Sequence, residues 1–136
     1  MKNCYAQFKY LLAVYELSKG DKKVKSVDIA KRLDVSRPSV SKTLKCLSKN
    51  GFVDDDFSNE VVLTESGKAV GKELFNNYRY ALLFFRKVLK LDDEQADEQA
   101  LTFIATFPEA TVERLSQTMK NTIERQRAIR HAKQDQ

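Results

Sequence analysis

The sequence predicts a mainly helical fold with one short excursion into extended structure, and three observations carry that expectation. Glycine and proline are scarce, at 4 and 2 residues of 136, while Ala, Leu, Lys, Glu and Gln, all good helix formers, are common. Apolar residues recur at three- and four-residue intervals through most of the chain. Only around residues 52 to 64 does the period change to that of strands. An apolar share of 42 % suits a packed core and argues against disorder.

The elements follow in order. Tyr5, Phe8, Leu11, Leu12, Tyr15 and Leu17 trace one helical face, and Gly20 supplies the stop. Ser26 to Leu33 reads as a short helix with Ser26 as its N-cap and Val27, Ile29, Ala30 and Leu33 turned inward. Asp34-Val35 is a tight link. Ser36 then caps a second helix with Pro38 in its first turn, where a missing N–H costs nothing. Its core positions are Val40, Leu44 and Leu47, and Asn50-Gly51 ends it. Phe52-Val53 and Glu60 to Thr64 read as the two strands of a hairpin turned by Asp54 to Asn59. Thr64 or Glu65 opens a long helix through about Leu89. Asp92-Asp93-Glu94 starts another, which runs to about Phe107, since acidic residues suit a helix N-terminus. Pro108-Glu109 starts the last, with Val112, Leu115, Met119 and Ile123 on one face and a polar tail from Arg125 expected to fray.

Helix, helix, tight turn, helix and two-stranded hairpin make a winged helix-turn-helix plan. The three remaining helices are too small and too amphipathic to stand alone. The expected architecture is therefore a mainly α chain: residues 1–68 form a winged helix-turn-helix DNA-binding domain, and residues 69–136 form a helical dimerisation arm with a polar tail.

Charge points to the partner. The net charge is +5, and residues 19 to 49 alone hold ten basic and three acidic side chains, a surplus of seven. In a helix-turn-helix the second helix enters the major groove and reads base edges near its N-terminus. With Val40, Leu44 and Leu47 inward, Pro38, Lys42, Lys45 and Lys49 face outward, flanked by Arg37, Ser39 and Ser41. Ser39 and Lys42 are within reach of bases, a lysine suiting guanine N7 and O6. Lys25, Lys45, Lys49 and the Ser36 hydroxyl at its helix N-terminus suit phosphates. Double-stranded DNA is thus the expected partner.

Several classes are excluded. Cys4 and Cys46 have no CxxC spacing, so a disulfide framework is not expected, and this usage suits a reducing cytoplasm. The start of the chain lacks signal-peptide character. The longest apolar run, Ala81 to Phe85, falls far short of the ~20 residues a membrane span needs, so no membrane partner is expected. With one histidine, no Cys–His pair, no glycine-rich phosphate loop and no HExxH, no catalytic residues are assigned and no enzyme is expected.

The stretches DIAKRLDVSRPSVSKTLKCL (residues 28–47), NGFV (50–53), LTESGK (63–68) and RKVLKLDDEQADEQA (86–100), with YEL before Gly20, resemble the iron/manganese-dependent repressor (DtxR/MntR) family. The resemblance covers roughly residues 8 to 115. The related MarR-type winged helices share the VS..SVS..L..L...G.V core. The resemblance implies a homodimer on a palindromic operator, with DNA contacts at Ser36, Pro38, Ser39 and Lys42. It also implies Mn²⁺ or Fe²⁺ as effector, and there this chain departs from the pattern. Threaded without gaps, the ligand positions fall on Lys9, Leu12, Tyr78, Leu101, Ile104 and Ala105. None of these is a carboxylate, imidazole or thiol, the donors such ions require. The nearest carboxylates are Asp97 and Glu98, and the single histidine, His131, lies in the tail. No metal and no cofactor are therefore expected.

A second departure is the acidic wing, Asp54, Asp55, Asp56 and Glu60, which repels a phosphate backbone. It favours a second reading, a winged-helix protein-interaction module that has lost DNA binding; the basic reading helix favours a regulator. In the arm, Leu82, Phe85, Leu101, Ile104 and Phe107 are the candidate dimer interface, joined by Phe8 and Leu12 of the first helix. Tyr78, Phe84 and Phe103 are a candidate pocket for a small-molecule effector. Cys46, beside the outward face of the reading helix, is a candidate redox thiol.

Overall fold

The computed structural model describes residues 4–135, with side chains from residue 7 onward. The expectations placed on the side chains of Cys4 and Tyr5 lie outside the described residues. The chain divides into two compact units, Met1–Phe75 and Asn76–Gln136.

In the first unit, α1 (Cys4–Leu17), α2 (Ser26–Leu33) and α3 (Arg37–Lys49) pack against one another. Leu11, Leu12 and Val14 of α1, Ile29 of α2, and Val40, Leu44 and Leu47 of α3 are wholly buried between them. The link from α2 to α3 is tight because Asp34 adopts a left-handed conformation, φ 54°, and Val35 N–H bonds the Ala30 carbonyl at 3.1 Å. The cap of α2 differs from expectation. Ser26 is the first helical residue, and Lys25 is the N-cap. The Asp28 carboxylate accepts the Lys25 N–H at 2.9 Å, so the acidic residue three positions on does the capping that the serine was expected to do.

The wing is leaner than the sequence predicts. The two expected strands reduce to one antiparallel bridge, Val53 with Leu63, flanked by Asp54 N–H to Val62 O at 2.9 Å and Thr64 N–H to Phe52 O at 3.0 Å. The turn explains this. Asp55 and Asp56 are satisfied by Ser48 and Ser58 side chains rather than by a partner strand, which bends the chain away before a longer ladder can form. On the return, Val61 N–H bonds Val24 O at 2.7 Å, pinning the wing to the loop before α2.

Thr64 then opens α4 (Glu65–Leu83), its hydroxyl accepting Gly67 N–H at 3.1 Å. Gly67 is fixed by contact: a Cβ there would lie 2.0 Å from the Phe52 carbonyl oxygen. Farther along α4, Phe75 meets the Tyr15 ring at 5.6 Å, and the Lys19 ammonium sits 3.4 Å from the Phe75 centroid.

In the second unit, the long helix expected through Leu89 changes character. Residues Phe84–Val88 form a π-helical turn, and Leu89 N–H bonds Phe84 O at 3.1 Å. Arg86 reaches Asp93 Oδ1 at 2.9 Å, tying this turn to the start of α5 (Asp93–Thr106). Asp92 caps α5, accepting Gln95 N–H at 2.8 Å. Phe85, Phe103 and Phe107 form a chain of ring contacts at 6.1 and 4.5 Å. α6 (Glu109–Gln134) follows. The polar tail from Arg125, expected to fray, is helical to Gln134 in this structure. Residues 125–134 contain neither Gly nor Pro, and His131 and Lys133 in the last turn complement the helix dipole.

Replacing Gly67 with Ala forces the α4 backbone away from Phe52. A cost of ~1–3 kcal/mol or more is expected in urea unfolding. The neighbouring exposed substitution Ser66→Ala should stay within about 0.5 kcal/mol of the parent.

Candidate nucleic-acid interface

The reading helix is built from its caps outward. Ser36 Oγ accepts the Ser39 N–H at 3.3 Å and lies 2.8 Å from Ser39 Oγ. Pro38 occupies the first turn. These features fix where α3 begins and satisfy most of its first turn: Pro38 has no N–H, that of Ser39 goes to Ser36 Oγ, and that of Val40 bonds the Ser36 carbonyl at 3.2 Å. At the other end Asn50 caps the helix, and its side chain donates to Gln7 Oε1 on α1 at 3.0 Å.

With Val40, Leu44 and Leu47 inward, the opposite face presents Arg37, Pro38, Ser39, Lys42, Lys45 and Lys49, all exposed, with Ser36 exposed at the cap. Ser41 is half-buried. Lys25 is exposed at the start of α2, whose next residue, Ser26, lines one cleft with Arg37, Pro38 and Ser41. The structure therefore gathers the sequence-assigned residues at one end and along one face of α3. Cys46 is a free cysteine, half-buried on the same helix.

The far wall of that cleft, about 570 Å³ in volume, is the wing: Asp55, Asp56, Phe57 and Ser58. Asp55 accepts from Ser48 Oγ at 2.8 Å, so the wing tip is hydrogen-bonded to the second half of the reading helix. Ser48 was missed in the sequence. Its signal was present, since Ser48 lies seven residues after Ser41 and so on the same face of α3. Hydrogen bonds from the Ser58 side chain and backbone N–H hold the Asp56 carboxyl below the usual carboxylate range. A depressed carboxylate stabilises its turn above the ordinary carboxylate range, and this contribution is lost as pH falls through the depressed value. At neutral pH Asp56 is therefore a carboxylate, lining the same cleft as Arg37.

Several sequence-assigned positions sit elsewhere than expected. Leu12 has no exposed surface; it belongs to the three-helix core and has nothing to offer a second copy. Leu101 and Ile104 are also buried within their own unit, at 6 and 9 % exposure. Phe8, Leu82 and Phe85 are half-buried, and Phe107 is half-exposed. Of the residues assigned to an effector pocket, Tyr78 and Phe103 are buried and Phe84 is half-buried. The Tyr78 hydroxyl donates to Asp97, and Phe103 is filled in by Phe85 and Phe107. A cavity in the second unit opens beside Tyr80, Leu83 and Met119.

The positions where the resemblance would put metal ligands hold a half-buried Lys9, the buried Leu12, Leu101 and Ile104, Tyr78 engaged with Asp97, and Ala105. An ammonium, hydrocarbon side chains and a hydrogen-bonded phenol do not make a donor set for Mn²⁺ or Fe²⁺.

Known proteins bear on this geometry. The chain is 26 % identical over 107 residues to the HTH-type transcriptional regulator MJ0568 of Methanocaldococcus jannaschii, covering 78 % of this chain and 86 % of that one. It is 27 % identical over 112 residues to the iron-dependent repressor IdeR of Mycobacterium tuberculosis, covering 82 % of this chain and 49 % of the repressor. Among solved structures, the manganese regulator SloR superposes with a TM-score of 0.72 at 29 % identity, over 84 % of this chain and 53 % of that one. The chain thus spans about half the length of the iron- and manganese-responsive relatives it matches. These relatives are regulators, not enzymes, and no helix among the described residues is long and apolar enough to cross a membrane. Residues 8–56 match the family described as iron dependent repressor, N-terminal DNA binding domain, and over more than four fifths of its length the chain is similar in sequence and fold to regulators of the iron/manganese-dependent repressor type.

Proposed function

We propose that this chain is a sequence-specific, DNA-binding transcription regulator that acts as a homodimer and is not switched by Mn²⁺ or Fe²⁺. The observation that carries the reading is α3. One face is wholly buried in a three-helix core, and the other presents Arg37, Ser39, Lys42, Lys45 and Lys49 to solvent. A helix held this rigidly, with small and basic residues outward, is shaped for the major groove. Pro38, Ser39 and Lys42 lie where base edges are read, and Ser41 backs them. Lys25, Ser36, Arg37, Lys45 and Lys49 serve the phosphates. The first 68 residues supply this reading head and the helices after it the dimerisation arm.

Metal independence rests on the donor chemistry of the ligand positions. A homodimer rests on exposed apolar surface in the second unit: Leu89 and Phe107 are each about half exposed, at 50 and 51 %. Phe107 continues the Phe85–Phe103 ring chain outward, so Leu82, Phe85, Leu89 and Phe107 are the favoured contacts, with Phe8 contributing from α1. Leu101 and Ile104 are buried within the same unit and so are not counted among the contacts. The acidic wing is the observation favouring the other reading, a winged-helix protein-interaction module.

DNA binding is expected to weaken steeply as salt rises. Lys42→Ala should cost ~1–3 kcal/mol on the preferred site and relax the base preference there. Fluorescence anisotropy on fragments of the source genome checks this; the absence of binding to every fragment at low salt selects the protein-interaction reading.

Micromolar Mn²⁺, Fe²⁺, Co²⁺ or Zn²⁺ should leave both DNA affinity and melting temperature unchanged, because a ligand specific to the folded state would raise stability by RT ln(1 + [L]/Kd). A saturable melting shift that disappears in Asp97→Ala or Glu98→Ala would refute metal independence.

Phe107→Glu, which adds a charge to an exposed ring position without opening the core, should convert dimers to monomers in sedimentation and abolish operator binding while helix content is retained. An unmodified protein that sediments as a monomer at tens of micromolar, far above the dissociation constants of stable dimers, contradicts the dimer.

A further inference from the structure

In the second unit the end of α4, the π-helical turn and α6 border a cleft of about 780 Å³. Its floor is apolar: Tyr80, Leu83, Met119 and Ile123, with Val88 at the edge. Its rim is cationic. Lys87, Lys120, Arg127 and Arg130 line it together with Arg79, against a single carboxylate, Glu124.

Three physical points bear on what this cleft accepts. First, among the described residues Lys87, Lys120, Arg127 and Arg130 make no ion pair. Arg127 and Arg130 are three apart on one helix, close enough for like charges to repel. An anion held between them offsets that repulsion. Second, the apolar floor needs an occupant with a hydrocarbon body. Inorganic phosphate or a nucleic-acid backbone would answer the rim but leave Leu83, Met119 and Ile123 uncovered. Third, the π-helical turn is an irregularity of a kind that often marks functional sites, and two of its residues, Lys87 and Val88, line this cleft, one at the charged rim and one at the apolar edge. A second copy of the chain is a poor occupant. A two-fold contact brings the same patch against itself, which here sets one cationic rim against another.

From these features we infer that the cleft binds an amphiphilic anion, a single aliphatic chain ending in a carboxylate or phosphate, with its body on Leu83, Met119 and Ile123 and its head among Lys120, Arg127 and Arg130. The volume lies within the range of small-molecule sites. The inference deepens the reading of the chain as a regulator without a metal effector, but the binding it describes does not depend on DNA.

Titration calorimetry of the full chain without DNA is the test. Decanoate and decyl phosphate should each bind saturably, one per chain, with acetate and decyltrimethylammonium silent. Comparing the two anions distinguishes a free fatty acid from a phosphorylated lipid as the source. The double charge reversal Arg127→Glu/Arg130→Glu, both at exposed positions, should weaken decanoate about tenfold or more. Ile123→Glu should do the same by spoiling the floor, and circular dichroism checks that both variants keep their helix content. Lys120→Gln, a single neutralisation, provides a milder variant should either misfold. Equal binding of the cationic amphiphile, or affinity unchanged by all three variants, overturns the proposal. So does loss of self-association in the charge-reversed variant with no decanoate binding by the parent, which would assign the cleft to a second copy. An oligonucleotide bound through the same arginines while decanoate is silent would assign the rim to nucleic acid instead. Because DNA reading is measured separately through Lys42, failure here leaves that reading standing.

Discussion

The burial of Val40, Leu44 and Leu47 against α1 and α2 governs the rest of the first unit. All three lie on one stripe of α3 and all three are wholly excluded from solvent. Truncating a buried leucine of this kind to alanine costs ~2–5 kcal/mol, a large share of the stability of a small domain. The same stripe determines function, because a helix locked along one side has only one face left. The Arg37–Lys49 helix shows serines and basic residues to solvent because its aliphatic residues are fully committed elsewhere. Shifting the stripe by one residue would rotate Lys42 by about 100° about the helix axis, out of the reading position.

The wing is subordinate to that helix. Only one bridge pairs its two sides, and its tip is held by Asp55 on Ser48 and by the Asp56–Ser58 turn. Anchored this way, the carboxylates stand beside Arg37, Pro38 and Ser41. They lower the positive potential at the N-terminal end of α3 and also, through Asp55 on Ser48, beside Lys49. An acidic wing of this kind penalises indiscriminate phosphate contact near the helix start, so affinity depends more heavily on side chains that reach bases. Specificity arises from such penalties as much as from attraction.

In the second unit, apolar side chains are sorted onto different surfaces. Phe85, Phe103 and Phe107 stack outward from a small core of Ala81, Ala96 and Ala100, while Leu83, Met119 and Ile123 floor a cleft with a cationic rim. The alanines allow the helices to approach closely. Tyr78, Leu101, Ile104 and Val112 are buried in the same unit, while Leu89 and Phe107 stay half exposed. Four of the six positions where the resemblance implies a metal ligand, Tyr78, Leu101, Ile104 and Ala105, belong to the same unit as this cleft.

Sequence alone determined the helices of the reading head, the Ser36 cap, the buried stripe of α3 and its basic outer face, since each depends on local periodicity and capping chemistry that a one-dimensional pattern carries. It also determined that Lys9, Leu12, Tyr78, Leu101, Ile104 and Ala105 cannot serve a dication, because donor chemistry is a property of residue type. Tertiary structure decided what depends on which surfaces meet. Leu12 and Ile104 read as interface because both lie on apolar faces, and only packing revealed that their own unit already covers them. The expected hairpin shrank to one bridge because Asp55 and Asp56 found partners in Ser48 and Ser58, a competition between side-chain and ladder hydrogen bonds that strand periodicity does not register. The cleft combines residues 79 to 88 with residues 119 to 130, two segments some 30 positions apart whose cations look like ordinary solvated charge until the fold sets them around one apolar floor.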